Sequence, residues 1–349
     1  MTVKPETAGL SSARLARIDR FFKERYIETG KIPCAHALVA RGGEIVHSSP
    51  IGMMDVEKGR PLQDDTIFRI YSMTKPITSV AFMMLVEEGK VGLDDPVHRF
   101  IPAWRDLGVY AGGFMETFRT KRSDRPMLMV DLLRHTSGLT YGFQQRTNVD
   151  AAYRKMKLGE IEKHGTIDYM IEELAKLPLE FTPGAAWNYS VSTDVLGYLV
   201  QVISGQKFVD FLAERIFKPL GMSDTSFHIP PEKVSRFAQN YAAIPGGKMM
   251  LYDDAAKSTY APPQTFISGG GGLVSTMRDY YAFCDMLLKG GTRNGHQFLS
   301  PKTSALMTAN HLPGGKDLTQ MSLSLFSEMG YAGVGFGLGF AITMDPAAT

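Results

Sequence analysis

The chain has 349 residues, 44% of them apolar, enough for a buried core in one large domain or two. Lysine plus arginine (38) nearly balances aspartate plus glutamate (36), and the net charge of +2 argues against a nucleic-acid or other polyanion-binding surface. Two distant cysteines, Cys34 and Cys284, give neither a disulfide framework nor a thiolate metal site, so two free, packed thiols are expected.

The first seven residues lack the apolar core of a signal peptide, and no later run approaches the roughly 18 apolar residues of a membrane span. A cytoplasmic location without a membrane partner is the resulting expectation. Ser11 or Ser12 can cap a first helix in which Leu15, Ile18, Phe22 and Tyr26 share a face, ending near Gly30. Ala35 to Arg41 and Glu44 to Ser48 read as strands joined by Gly42-Gly43, an antiparallel hairpin.

The next stretch, Phe68-Arg69-Ile70-Tyr71-Ser72-Met73-Thr74-Lys75-Pro76, passes from strand-like residues into a helix start. Ile77, Val80, Ala81, Met84 and Leu85 then recur at helical spacing as far as Gly89. A serine in the first helical turn sits at the positive end of the helix dipole, near free backbone N–H groups. Lys75, three residues on, shares its face. Ser72 is therefore the candidate nucleophile and Lys75 its partner, although a plain capping serine has the same local signature. A second Ser-x-x-Lys, Ser204 to Lys207, closes an apolar helical run at Gly205 and reads as a C-terminal cap.

From Asp94-Asp95-Pro96 the texture changes to longer loops and short helices, which places a domain boundary near residue 95. The basic cluster Arg119 to Arg125 reads as a solvated loop. Helical stretches at Val130 to Arg134, Ile167 to Leu177, Thr193 to Ser204 and Phe208 to Phe217 make the middle region mainly helical, and residues 223–263 read as long, Pro-rich loops. The sheet is expected to resume after Gly269 to Gly272, with Ser275, Thr276 and Asp279 opening a helix through Leu288 and Ser300-Pro301 another. Gly333, Gly335, Gly337 and Gly339 alternate with Val334, Phe336, Leu338 and Phe340, a strand pattern whose bare face admits close approach of another backbone.

Tyr189 follows the Pro183-Gly184 turn and precedes Ser190 and Ser192, either of which can cap the next helix. A phenol on such a loop can take a proton if a positive charge such as that of Lys75 favours phenolate, whereas most tyrosines are simply hydrogen-bonded interfacial aromatics. The eight histidines, His36, His98, His135 and His164 among them, show no metal-ligand spacing, and neither metal nor cofactor is implied. No Gly-x-Ser-x-Gly elbow occurs.

Ser72-x-x-Lys75, Tyr189-Ser190-Val191, the run Leu132 to Leu139 with His135-Thr136-Ser137-Gly138, and Ser268 to Thr276 together resemble the serine β-lactamase and penicillin-binding protein superfamily, and most of all the family VIII carboxylesterases. The resemblance runs over nearly the whole chain. It implies an α+β fold, an antiparallel sheet flanked by helices, in which residues 1–95 and 265–349 form the α/β domain and 96–264 a mainly helical insertion. By the same resemblance Ser72 carries an acyl group, Lys75 and Tyr189 move its proton in an order left open, and His135 stands nearby without carrying the transfer.

Trp187 and Tyr141 are candidate substrate-binding residues, though core packing explains them equally well. Val191 stands where class C β-lactamases have an asparagine that holds the antibiotic's amide side chain, which favours esters over β-lactams. No third-motif triplet such as Lys-Thr-Gly follows the glycine-rich stretch, so the C-terminal part of the α/β domain is expected to be incomplete, lacking later strands and a helix. The expected activity is hydrolysis of short-chain acyl esters, with a β-lactamase or D-alanyl-D-alanine carboxypeptidase and a non-enzymatic acyl-binding protein as alternatives. The partner is then a small-molecule ester, and the oligomeric state is not indicated.

Overall fold

The computed structural model describes residues 2–115, 117–159, 165–323 and 330–349, so His164 lies outside the described residues. Helix α1 (Ser12–Phe22) is capped by Ser11, whose hydroxyl accepts from the Arg14 N–H at 3.4 Å, and a π turn over Lys23–Ile27 carries it on toward Gly30. Strands β1 (Cys34–Arg41) and β2 (Glu44–Asp55) pair antiparallel with Arg41 opposite Glu44. Gly42 and Gly43 both have positive φ, 64° and 88°, as a two-residue turn matched to the strand twist requires.

Strand β3 (Arg60–Pro61) adds to β2, and β4 (Ile67–Arg69) runs through a 3-10 turn at Tyr71–Met73 into α2 (Thr74–Glu87). A hairpin of β5 (Val109–Gly112) and β6 (Arg119–Lys121) precedes α3 (Met129–Leu133), α4 (Asn148–Lys155), α5 (Ile167–Leu174), α6 (Ser192–Ser204), α7 (Phe208–Leu212) and α8 (Lys218–Leu220). Then come β7 (Asn240–Ile244), β8 (Lys248–Asp253), β9 (Val274–Thr276), α9 (Met277–Leu288), β10 (Thr292–Arg293), β11 (His296–Gln297), α10 (Pro301–Met307), α11 (Leu318–Met321), β12 (Val334–Phe336) and β13 (Ala341–Thr343).

The chain divides into two compact units, each built from non-contiguous segments. One comprises Met1–Arg69, Leu220–Gln264 and Leu273–Asp285. Its core joins Ile67, Ile229, Phe237, Tyr260 and Val274, and a smaller cluster joins Met54, Leu62 and Ala238 with Cys34 and Phe68. Strand β4 pairs antiparallel with β9, Ile67 opposite Thr276, so two segments far apart in sequence share one ladder. Arg69 is buried there, its guanidinium 3.9 Å above the Phe237 ring and 2.5 Å from Asp253. The burial is tolerable because the charge is paired and stacked.

The other unit comprises Ile70–Pro219, Thr265–Gly272 and Met286–Thr349. Its central helix is α2, buried nearly all round, with Ile77, Val80, Ala81, Phe82, Met83 and Leu85 wholly buried and α6 packed against it. Such a helix belongs in a core. Each such large side chain contributes about 1.5–3 kcal/mol of burial free energy. A second cluster gathers Trp187, Leu312, Leu318, Met321, Val334 and Phe336, with Tyr189 and Tyr331 partly buried against it.

Several expectations are corrected. Residues 223–263 contain the antiparallel hairpin β7–β8, whose exposed Met250, Leu251 and Tyr252 blur the alternation that would mark a strand. The Arg119 to Arg125 run is half strand, and Arg125 binds both oxygens of the buried Asp131, at 2.7 and 2.8 Å. Burial raises that carboxyl, but the Arg125 and Leu128 hydrogen bonds and the charges of Arg125 and Arg134 outweigh it and hold it below the usual range. Cys34 is partly packed, but Cys284 is exposed. The glycine alternation is strand only over Val334–Phe336, and Gly339 at φ 97° belongs to the turn before β13. Its bare positions do meet other groups closely: a Cβ on Gly335 would lie 2.5 Å from Asn310 Oδ1. Helix α6 begins after Val191, and the hydroxyls of Ser190 and Ser192 bond each other at 2.7 Å instead of capping it. Among the described residues no helix is long and apolar enough to cross a membrane.

Candidate active site

Tyr71 has φ 41°, a left-handed conformation unfavourable for a side-chain-bearing residue, and it turns the chain from β4 into α2. Ser72 lands on that turn with its side chain exposed. Lys75, one helical turn on, is 6% exposed, and its Nζ lies 3.2 Å from Ser72 Oγ. Pro76 is the third residue of α2, where a missing N–H costs nothing. The second Ser-x-x-Lys lies at the end of α6, with Gly205 in the left-handed C-cap conformation.

Tyr189 reaches the same point from the segment before α6, its Oη 2.6 Å from Ser72 Oγ. Backbone bonds hold that segment, among them Trp187 N–H to Met321 O at 2.8 Å, Leu323 N–H to Trp187 O at 3.1 Å, Asn188 N–H to His135 O at 2.9 Å, and Val191 N–H to Thr140 O at 3.2 Å. Gln144 Nε2 donates to Tyr189 O at 2.5 Å, and Asn188 Nδ2 to Leu139 O at 3.0 Å and to Glu180 at 2.9 Å. Arg146 bridges Glu180 and Asn188 at 3.2 and 3.0 Å. The phenol is thus aimed by a rigid, largely buried frame.

The ammonium of Lys75 is surrounded. Its Nζ donates to Gly270 O at 2.7 Å and lies 4.5 Å from the centre of the Tyr189 ring and 5.4 Å from that of Tyr141. Aromatic faces and a carbonyl all favour a cation. Thr78, one turn further along α2, donates to Gly269 O at 2.7 Å. Ser268 to Gly272 therefore lies as a turn between α2 and α6: a Cβ on Gly269 would stand 2.6 Å from Thr193 O and 3.2 Å from Thr78 Cγ2.

His135 is 1% exposed, its Nδ1 3.2 Å from Ser190 Oγ and its ring 5.0 Å from that of Tyr189. Burial, and secondarily the Lys75 charge, push its imidazole down to about 3. It is a neutral packing partner of Tyr189. Trp187 and Tyr141 are 3% and 5% exposed, Trp187 in the second apolar cluster and Tyr141 with its Oη 3.4 Å from Asp194. Burial, followed by the Asp194 carboxylate, pushes the Tyr141 phenol well above its ordinary range. Phe143 stacks on Tyr141 at 4.8 Å and is 43% exposed. Among the described residues no three metal-ligating side chains cluster.

The structure thus brings Lys75 and Tyr189 each within hydrogen-bonding reach of Ser72. It adds Asp194, Gly270, Gln144, Asn188 and Glu180, which sequence reasoning missed. Asp194 in the first turn of α6 reads as an ordinary favourable charge at a helix start, and nothing in the spacing links it to a glycine 76 residues away.

The beta-lactamase family profile matches residues 18–345. The chain belongs to this family. An uncharacterized protein of Mycobacterium tuberculosis is 35% identical over 320 residues, covering 92% of this chain and 77% of that protein. Esterase EstB of Burkholderia gladioli is 31% identical over 366 residues, covering 99% of this chain and 85% of its own. Among solved structures, EstCE1, described as a hydrolase with promiscuous acyltransferase activity, superposes with a TM-score of 0.75 at 25% identity, covering 96% of this chain and 84% of that one. The fold is that of the β-lactamase and penicillin-binding-protein superfamily, and within it this beta-lactamase family member is a family VIII esterase-like serine hydrolase.

Proposed function

We propose that the protein is a carboxylesterase for short-chain acyl esters, working through an acyl-enzyme on Ser72. The observation that carries this reading is the convergence of Tyr189 Oη at 2.6 Å and Lys75 Nζ at 3.2 Å on an exposed Ser72 Oγ. In this reading Tyr189 acts as a phenolate beside the Lys75 ammonium and accepts the Ser72 proton as Oγ attacks the ester carbonyl, so that the negative charge passes from the phenol oxygen to the carbonyl oxygen. The phenol then returns the proton to the leaving alcohol. In the second half-reaction it activates water, which releases the acid and restores Ser72. The Ser72 backbone N–H supplies one oxyanion donor at the start of α2, a kind of contact worth on the order of 3 kcal/mol in the transition state.

Three residues support the substrate class. Val191, two residues after Tyr189, is wholly buried and offers no amide-binding group, while Met73, next to Ser72 in the chain, and Phe143, stacked on Tyr141, are exposed apolar surface. That suits a small acyl chain better than a β-lactam with a polar side chain. EstB and EstCE1, named as esterase and hydrolase, lend the same direction, and an alcohol in place of water would give the acyl transfer named for EstCE1.

The test is hydrolysis of p-nitrophenyl acetate and butyrate by the protein, by Ser72→Ala and by Tyr189→Phe, with intact mass read after a short incubation and nitrocefin as comparison. Turnover is expected to vanish in Ser72→Ala and to fall about 10²- to 10⁴-fold in Tyr189→Phe. Ester turnover that survives in Ser72→Ala would refute the reading, and nitrocefin hydrolysed faster than the esters would move the protein to the β-lactamases.

A further inference from the structure

A buried carboxylate is expensive unless a cation pairs with it. Asp194 is 2% exposed, and among the described residues no Lys, Arg or His nitrogen lies within ion-pair distance of it. Its charge is met by hydrogen bonds alone. Oδ1 accepts from Ser268 Oγ at 2.5 Å and from the Gly270 N–H at 3.0 Å, and Oδ2 from Tyr141 Oη at 3.4 Å. The other end of Gly270, its carbonyl, accepts from Lys75 Nζ at 2.7 Å. One residue thus has its N–H held by an anion and its C=O held by the ammonium beside the nucleophile. Only glycine fits: a Cβ there would lie 2.6 Å from Asp194 Oδ2 and 2.9 Å from Tyr141 Oη.

We propose that Asp194 is a positioning residue for the Ser72 nucleophile, its carboxylate fixing Gly270 so that the Gly270 carbonyl holds the Lys75 ammonium against Ser72. This rests on Ser72 and Lys75 acting as described above. The charged and titratable groups around the relay are Lys75 from α2, Asp194 from α6, and Tyr189, Tyr141 and His135 from the loops. The carboxylate does two things an uncharged acceptor of the same shape cannot. It strengthens the bond to the Gly270 N–H, and its negative field acts on every proton-exchanging group of the set.

Asp194→Asn keeps the shape and removes the charge. With p-nitrophenyl butyrate, kcat/KM is expected to fall about ten- to hundredfold, and both limbs of its pH profile to move to lower pH, because groups relieved of a nearby negative charge release protons more readily. An equal loss at every pH with both limbs in place would mean mere packing and would overturn the proposal, as would unchanged activity. Should Asp194→Asn fail to fold by circular dichroism, Gly270→Ala carries the test. It leaves every titratable group present but pushes the carboxylate away, and it is expected to slow Ser72 acylation at least tenfold with both limbs moved to lower pH, as for Asp194→Asn but by less, whereas a loss with both limbs in place would again mean mere packing and overturn the proposal. Acylation at the wild-type rate would sink the idea. Ser72→Ala run alongside separates the two readings: full activity there discards the nucleophile itself, whereas an inactive Ser72→Ala beside an unaffected Asp194→Asn discards only the role of Asp194.

Discussion

His135 combines a left-handed backbone, φ 58°, with an imidazole sealed among the rings of Trp187, Tyr189 and Phe336. Its folded-state value of about 3 lies below the 6.5 of an open chain, so between these values the unfolded state binds the extra proton. Stability linked to this group is therefore fully present above about pH 6.5 and drains away as pH falls toward 3. From pH 7 to pH 5 the loss amounts to about 2 kcal/mol. Asparagine tolerates the same backbone and cannot ionise. Urea unfolding of His135→Asn at the two pH values is expected to show a drop smaller than wild type by about that amount, and an equal drop would remove His135 from the acid sensitivity. The residues of the site differ in how far they were legible. Ser72 and Lys75 could be read because one helical turn joins them, and Tyr189 because a rigid turn and a family resemblance pointed to it. Asp194 and Gly270 could not, since their partnership exists only once α6 and the glycine turn have met.

At the level of elements, α2 could be read from its apolar recurrence, the β1–β2 hairpin from two glycines between strand-like runs, and α10 from its Ser-Pro start, all signals contained within a dozen residues. The β4–β9 ladder could not, because a three-residue strand carries too little periodicity to name a partner some 200 residues away. Helix α2 meets the β12–β13 turn at Ser79. Its hydroxyl is buried and, among the described residues, lacks a hydrogen-bond partner, and a Cβ on Gly339 would overlap it. Two substitutions at this contact are expected to act with opposite sign. Ser79→Ala removes an unsatisfied polar group and should leave the protein as stable or up to about 1 kcal/mol more so. Gly339→Ala forces a side chain into occupied space at φ 97° and should cost about 2 kcal/mol or more. Thermal unfolding of both decides it, and a stabilised Gly339→Ala would contradict the packing described.

For the molecule as a whole, each unit gathers segments from separate parts of the chain, so its integrity can be followed through residues that report on only one of them. Both thiols lie in the unit of β1 and α9. Burial pushes both thiols up, Cys34 to about 11, but Cys284 is exposed and open to a reagent whereas Cys34 is partly packed. At pH 8 a thiol reagent such as DTNB is expected to modify one cysteine per chain in the native protein and two in denaturant. Fast reaction of both in the native state would show that the cluster of Met54, Leu62 and Ala238 opens readily.

The glycine turn carries a last implication. Lys75 and Thr78 capture the carbonyls of two consecutive residues, whereas in an extended strand neighbouring carbonyls face opposite ways. The turn is therefore indexed to the helix at two points and cannot slide by one residue without losing both. Insertions and deletions within Ser268 to Gly272 should be barred over evolutionary time even where exposed side chains such as Met73 and Phe143 are free to vary, so that relatives diverge at the surface while keeping the length of this one turn.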